Sequence, residues 1–162
     1  MLHNTENEAI GRSRGGLTTK IHLLCNAKGE TLAFQISEGQ RADVTGGLSL
    51  LELMRSARRP KYLIADRAYD AYEVRAYSRE RRIRAVIPEK RLSKHKKRRR
   101  RGRIPACPKE IYASRNEIER EVGRLKDFRR IAMRYEKYAH TFAAFFNLGL
   151  MFKKVRKWFP DR

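Results

Sequence analysis

Apolar and polar positions mix at short period along residues 18–25, where Ile21, Leu23 and Leu24 sit among polar neighbours, and again along residues 30–37. Between the two runs, Asn26-Ala-Lys-Gly29 carries the asparagine and glycine that a tight turn favours, so the pattern predicts an antiparallel hairpin. From Asp43 the apolar spacing lengthens to that of a helix of about a dozen residues with Leu48, Leu50, Leu51, Leu53 and Met54, and Asp43 is the expected N-cap. Residues 61–65 predict a short apolar strand. Asp70, with Glu73 three residues on, predicts the capped start of a helix running to Arg82. Residues 84–88 predict another buried strand. Helical spacing returns over residues 114–128 and again over 136–158, the latter rich in Phe142, Phe145, Phe146, Leu148, Leu150, Met151 and Phe152.

Residues 1–10 are polar and are expected to fray, and Gly11-Arg-Ser-Arg-Gly-Gly16 is expected to be a flexible hinge before the first strand. It precedes a strand rather than a helix and no lysine follows its glycines, so neither a P-loop nor a dinucleotide fingerprint fits. The order strand, strand, helix, strand, helix, strand, helix, helix predicts a mixed α/β layer fold. A chain of 162 residues fits a single domain with its own core.

Charge changes this picture. There are 39 Lys and Arg against 18 Asp and Glu, giving a net charge of +21. Such a chain repels itself unless a polyanion is near, so DNA or RNA is the expected partner. The charge is most concentrated in residues 90–103, which hold ten cations and no acid. A run of that kind cannot pack, and a disordered basic insertion is expected over residues 90–108. Within it Lys94, Lys96, Lys97, Arg98, Arg99, Arg100, Arg101 and Arg103 form a candidate nucleic-acid-binding arm. It has no aromatic residue, so phosphate contact rather than base stacking is the expectation. No apolar run approaches the roughly 18 residues of a membrane span, so no membrane partner is expected. Cys25 and Cys107 are far apart and the four histidines are scattered, which gives no zinc pattern and fits a reducing cytoplasm.

Two places could carry chemistry. Tyr112, Arg115, Glu119 and Lys126 fall on one narrow stripe of a helix at about 100° per residue. Ile111, Ile118, Val122 and Leu125 lie beside that stripe and would dock it on a sheet. The plain alternative is a solvated face with Arg115 and Glu119 paired four residues apart. Ser114 with Glu117 also reads as a capping box, which would start the helix after Tyr112. Asp66 ends the apolar run Tyr62-Leu-Ile-Ala and opens the loop Arg67-Ala-Tyr69. Functional loops gather beyond strand ends, but an aspartate there can equally lead a turn. Asp43 and Asp70 are assigned to capping.

The tyrosine–arginine–glutamate–lysine spacing resembles the signature of bacterial insertion-sequence transposases of the DDE class. The stretches Gly11–His22, Ala65–Asp70 and Phe128–Lys137 look like the same family. The resemblance implies a ribonuclease-H-like fold: a five-stranded mixed sheet flanked by helices, here without its first central strand. It also implies two aspartates and a glutamate around Mg²⁺ or Mn²⁺. Asp66 maps to the second aspartate and Glu119 to the glutamate, as catalytic residues and metal ligands. Tyr112, Arg115 and Lys126 map to residues that position DNA phosphate.

The first aspartate is expected before Gly11, yet the earliest aspartate in the chain is Asp43. The expectation is therefore one partial catalytic domain over residues 1–162, the C-terminal portion of a split or truncated transposase. An upstream transposase fragment would supply the missing strand and aspartate, and the chain alone would be inactive. Insertion-sequence ends and target DNA are the implied partners, self-association stays open, and the implied location is the bacterial cytoplasm, at the nucleoid. Two other readings stand beside this one: a non-enzymatic basic nucleic-acid-binding protein, and a non-transposing nuclease of the same fold.

Overall fold

The computed structural model describes residues 8–54, 59–90 and 106–158. The chain divides into two compact units, one of Met1–Arg41 with Glu117–Arg162, the other of Ala42–Asn116.

In the first unit, β1 (Gly11–Ser13), β2 (Gly16–Cys25) and β3 (Thr31–Glu38) form an antiparallel sheet in the order β1-β2-β3. The predicted hairpin is β2–β3. The Asn26 carboxamide oxygen accepts from the backbone N–H of Lys28 and Glu30, at 2.9 and 3.0 Å, and Gly29 takes a φ of +74°. An aspartate- or asparagine-led turn closed by a glycine at positive φ is the arrangement this tetrapeptide favours. The expected hinge over residues 11–16 is instead a strand and a turn. Gly11 pairs with Thr18, and Gly16 turns the chain at φ +98°.

Ile21 and Leu23 of β2 and Phe34 of β3 share one face of the sheet. They pack on Leu125, Ile131 and Phe146 from α4 (Asn116–Lys126), α5 (Arg129–Ala132) and α6 (Ala139–Trp158). The Phe34 and Phe146 rings lie 4.5 Å apart. α6 approaches α5 at Gly149, where a Cβ would stand 2.6 Å from Ile131 Cδ1.

α6 begins at Ala139, later than the expected 136, because residues 133–138 wrap Arg134. Its guanidinium donates to the carbonyls of Glu136 and Lys137, at 2.9 and 2.8 Å, and to those of Glu8 and Ala9. It also donates to Thr19 Oγ1 and lies over the Phe142 ring. One arginine thus ties the N-terminal segment, β2 and the entry to α6.

The second unit holds α1 (Asp43–Leu53), β4 (Tyr62–Ile64), a 3₁₀ turn (Arg67–Tyr69), α2 (Tyr72–Glu80), β5 (Arg84–Val86) and α3 (Lys109–Ala113). β4 and β5 pair in parallel, Leu63 opposite Ala85. Leu50, Val74, Ile83, Val86 and Ile87 are buried, and Tyr77 Oη donates to the Leu51 carbonyl at 2.7 Å, tying α2 to α1.

Neither aspartate expected to cap does so. α1 has Ala42 at its N-cap, with Asp43 the first helical residue. α2 has Ala71 at its N-cap, and Asp70 turns inward to Arg75. At the other end of α2 the chain closes in a Schellman motif. Ile83 N–H donates to Ser78 O and Arg82 N–H to Arg79 O, with Arg82 in the left-handed region at φ +54°.

The helix expected over residues 114–128 is α4, Asn116–Lys126, and α3 is a short helix before it that the sequence did not predict. α3 ends with Ser114 as its C-cap, not as the N-cap of a capping box, and Ser114–Arg115 form a turn before α4. The fold is therefore mixed α/β. Its described strands form a three-stranded antiparallel sheet in the first unit and a parallel pair in the second. Of the expected basic insertion, residues 91–105, and with them Lys94 to Arg103, lie outside the described residues.

Candidate active site

Asp66 follows β4 by two residues and is half-buried. Its backbone is extended, and its Oδ1 accepts from Ala68 N–H at 2.7 Å, so it is the N-cap of the 3₁₀ turn. Both sequence readings therefore meet in one residue: an aspartate at a strand end that also leads a turn. The cap holds one oxygen and fixes the orientation of the other.

Tyr69, two residues beyond the capped Arg67, was not singled out in the sequence. Its phenol is pushed up to about 12, first by burial and then by the negative charges of Asp43 and Asp66. The ring lies against α1, where a Cβ at Gly47 would stand 2.6 Å from Tyr69 Cε1. The 3₁₀ turn that carries Asp66 is thus seated on α1 through Tyr69, and Gly47 permits the approach.

Tyr112 lies on α3 and Arg115 in the turn after it, with the Arg115 guanidinium 5.6 Å from the Tyr112 ring centre. Both are half-buried members of the second unit. Glu119 and Lys126 lie on α4 in the first unit. They are seven residues apart, roughly 10 Å along one helix face, and both are exposed. The four-residue stripe read from the sequence is therefore not on one unbroken helix: Glu119 and Lys126 share a face, while Tyr112 precedes the interruption and Arg115 lies in it.

α4 also carries a carboxylate that sequence reasoning passed over. Glu121 is 0% exposed. Its Oε1 accepts from Thr31 Oγ1 at 3.0 Å and is paired with Lys153 of α6, and Oε2 has Arg124 at 3.7 Å. Thr31 in turn lies 3.9 Å from the Cys25 thiol, which burial pushes up. The signal available in the sequence was position, since Glu121 is four residues before Leu125, on the face that packs.

Among the described residues no three His, Cys, Asp or Glu side chains gather into a metal site. The donors at issue are nevertheless hard carboxylate oxygens, and Mg²⁺ is commonly held by one or two carboxylates while keeping several waters. Asp66 fits such a role, because its turn occupies only one of its oxygens.

The family profile described as "Transposase DDE domain" matches residues 4–152. The chain belongs to the DDE transposases of bacterial insertion sequences. It is 31% identical over 133 residues to a protein assigned as a transposase for insertion sequence element IS6501 of Brucella ovis, covering 82% of this chain and 95% of that protein. It is also 31% identical over 146 residues to one assigned to insertion sequence element IS402 of Burkholderia cepacia, covering 85% of this chain but 62% of that protein. No solved structure matches the chain at a significant level. For a DDE transposase the process served is DNA transposition, which fits the net charge of +21. Among the described residues no helix is long and apolar enough to cross a membrane.

Proposed function

We propose that this chain forms part of a metal-dependent catalytic centre that cleaves and joins DNA strands at insertion-sequence ends. Asp66 and Glu119 are its carboxylates. The observation that carries the reading is Asp66 itself, capped and oriented at the end of a parallel strand, within a chain whose match to the family spans residues 4–152. Bound Mg²⁺ or Mn²⁺ supplies activation of an attacking water or 3′-hydroxyl and stabilises the leaving oxygen. Asp66 and Glu119 hold the ion. Tyr112, Arg115 and Lys126 orient the scissile phosphate, the arginine by a two-point contact and the lysine as a point charge. The cations of residues 94–103 hold the flanking DNA by its phosphates.

In this reading the fold is ribonuclease-H-like. Supporting it, the strands fall into an antiparallel sheet and a parallel pair, the two parts that a mixed sheet lacking a central strand would leave. The aspartate that the family resemblance places on that strand has no counterpart before Asp43. The third carboxylate of the site is therefore not assigned to a residue of this sequence.

The test is strand transfer on insertion-sequence ends, with an aspartate-bearing segment joined ahead of residue 1 to complete the site. Glu119→Gln and Asp66→Asn are each expected to abolish joining while leaving duplex binding intact. Full joining by Glu119→Gln would remove Glu119 from the site. Manganese-induced relaxation of nuclear resonances near Asp66 gives a readout independent of turnover.

A further inference from the structure

The outer edge of β3 is an interaction surface that the catalytic reading does not use. β3 ends the three-stranded sheet, so among the described residues no strand pairs with its far side. Soluble proteins usually blunt such an edge with charge, proline or irregularity. Thr31-Leu-Ala-Phe-Gln-Ile-Ser37 contains neither charge nor proline. The one register shift lies at Leu24/Cys25, opposite the beginning of β3, and from Ala33 to Glu38 the pairing with β2 runs without a break.

Beside this edge runs α6. Leu32 and Phe34 of β3 line a groove of about 400 Å³ with Asn147, Leu150, Met151 and Lys154 of α6. Leu32 is 50% exposed and Met151 61% exposed. The helix is apolar on two sides. Phe142, Phe146 and Gly149 are buried, while Leu148, Met151, Phe152, Val155 and Trp158 form a second, exposed stripe at spacings of three and four. A helix with apolar residues on both sides is one that is meant to be covered on both.

We propose that a second copy of this chain covers this surface, pairing β3 with β3 antiparallel across a two-fold axis near Phe34–Gln35. The pairing is self-complementary, as a two-fold interface requires. An antiparallel match brings the Glu38 end of one strand to the Thr31 end of the other, which is where Lys154 stands at the rim of the groove. Glu38 is exposed, and its side chain accepts from Gln40, two residues on. The partner's Glu38 therefore meets Lys154, an opposite charge, on both sides of the axis. The uncharged centre of the strand pairs with itself at no electrostatic cost, and the exposed stripe of α6 continues the apolar contact.

The sign of the salt dependence distinguishes this contact from DNA binding. Two chains of +21 repel one another, so self-association strengthens as salt screens the charge, whereas phosphate contacts weaken. Sedimentation velocity of the full chain, across a concentration series at low and high salt, is expected to show a monomer–dimer equilibrium that tightens with salt. Leu32→Lys should weaken it roughly tenfold or more by placing a charge on the edge. Should that variant also lower the melting temperature, the charge pair decides. Glu38→Lys and Lys154→Glu should each weaken the dimer by roughly fivefold, and the two together should restore it. A monomer at every concentration, an open ladder of larger species, a dimer indifferent to Leu32→Lys, or a charge swap without recovery would each overturn the assignment.

Discussion

The Arg75 guanidinium donates to the Asp70 carboxylate at 2.8 Å, with both side chains almost fully buried, 6% and 4% exposed. The same carboxylate accepts from Lys90 N–H at 2.7 Å, and Arg75 also donates to the Ile87 carbonyl at 2.9 Å. Asp70 thus ties α2 to the segment after β5. Removing one partner strands a buried charge, which typically costs about 3–5 kcal/mol. Asp70→Ala is expected to lose stability of that order in chemical denaturation. Asp66→Asn keeps an oxygen for the Ala68 N–H and should cost less than about 1 kcal/mol. Equal losses for the two substitutions would contradict the division of roles between these neighbouring aspartates.

Tyr69 makes a prediction in pH. Its phenol titrates near 12 in the folded protein, held up first by burial and then by Asp43 and Asp66, against an ordinary value of 10.0. Because the unfolded chain releases this proton first, the folded state binds more protons between the two values, and stability falls as pH rises through that window. The contribution is fully present below pH 10 and lost on approaching 12. Since the ring is partly exposed, about 1–2 kcal/mol is the expected size. Denaturation midpoints from pH 9 to 12 should decline more steeply for the wild type than for Tyr69→Phe, which has no proton to lose.

The hairpin and β4–α2–β5 were legible because their signals are local: an asparagine–glycine turn, an apolar run, a helical period. β1 was not, since Arg12 and Ser13 give no alternation and its pairing depends on the turn that Gly16 permits. The break at Ser114–Arg115 was partly legible, since Ser114 with Glu117 signalled a helix start after Tyr112, but the short helix α3 before it was not. Of the site, Asp66 could be read from the end of its apolar run. Its seating could not, because the approach of Tyr69 to Gly47 joins residues far apart in sequence. Asp43 and Asp70 satisfied cap statistics, yet the caps fell on alanines, and tertiary partners for Asp70 outweighed a local preference.

Arg82 sits at the position after the C-cap of α2, where the Schellman motif requires a left-handed backbone. A side chain with a Cβ pays roughly 1–2 kcal/mol there and glycine does not. Part of that gain is returned because glycine is freer in the unfolded chain. Arg82→Gly is therefore expected to stabilise the protein by about 0.5–1 kcal/mol, read as a higher denaturation midpoint with an unchanged slope. A loss of stability would mean that the Arg82 side chain makes a contribution larger than the backbone strain it imposes.

Glu121 and Lys153 join α4 to α6 inside the first unit, and Thr31 adds β3 to the same carboxylate. The arrangement stakes much on one group. Glu121 is fully buried, and among the described residues its Oε2 has no hydrogen-bond donor, with the Arg124 guanidinium at 3.7 Å. Glu121→Ala would leave the Lys153 ammonium partly buried without its partner and Thr31 without its acceptor, at a cost of about 3–5 kcal/mol. Replacing both charges with apolar groups of similar size, Glu121→Leu with Lys153→Met, should recover most of that loss, because neither ion then has to be dehydrated. The double-mutant cycle measured by chemical denaturation gives the coupling directly. A coupling near zero would show that α4 and α6 are held by Leu125, Ile131 and Phe146 alone, with the ion pair contributing nothing to the face that carries Glu119.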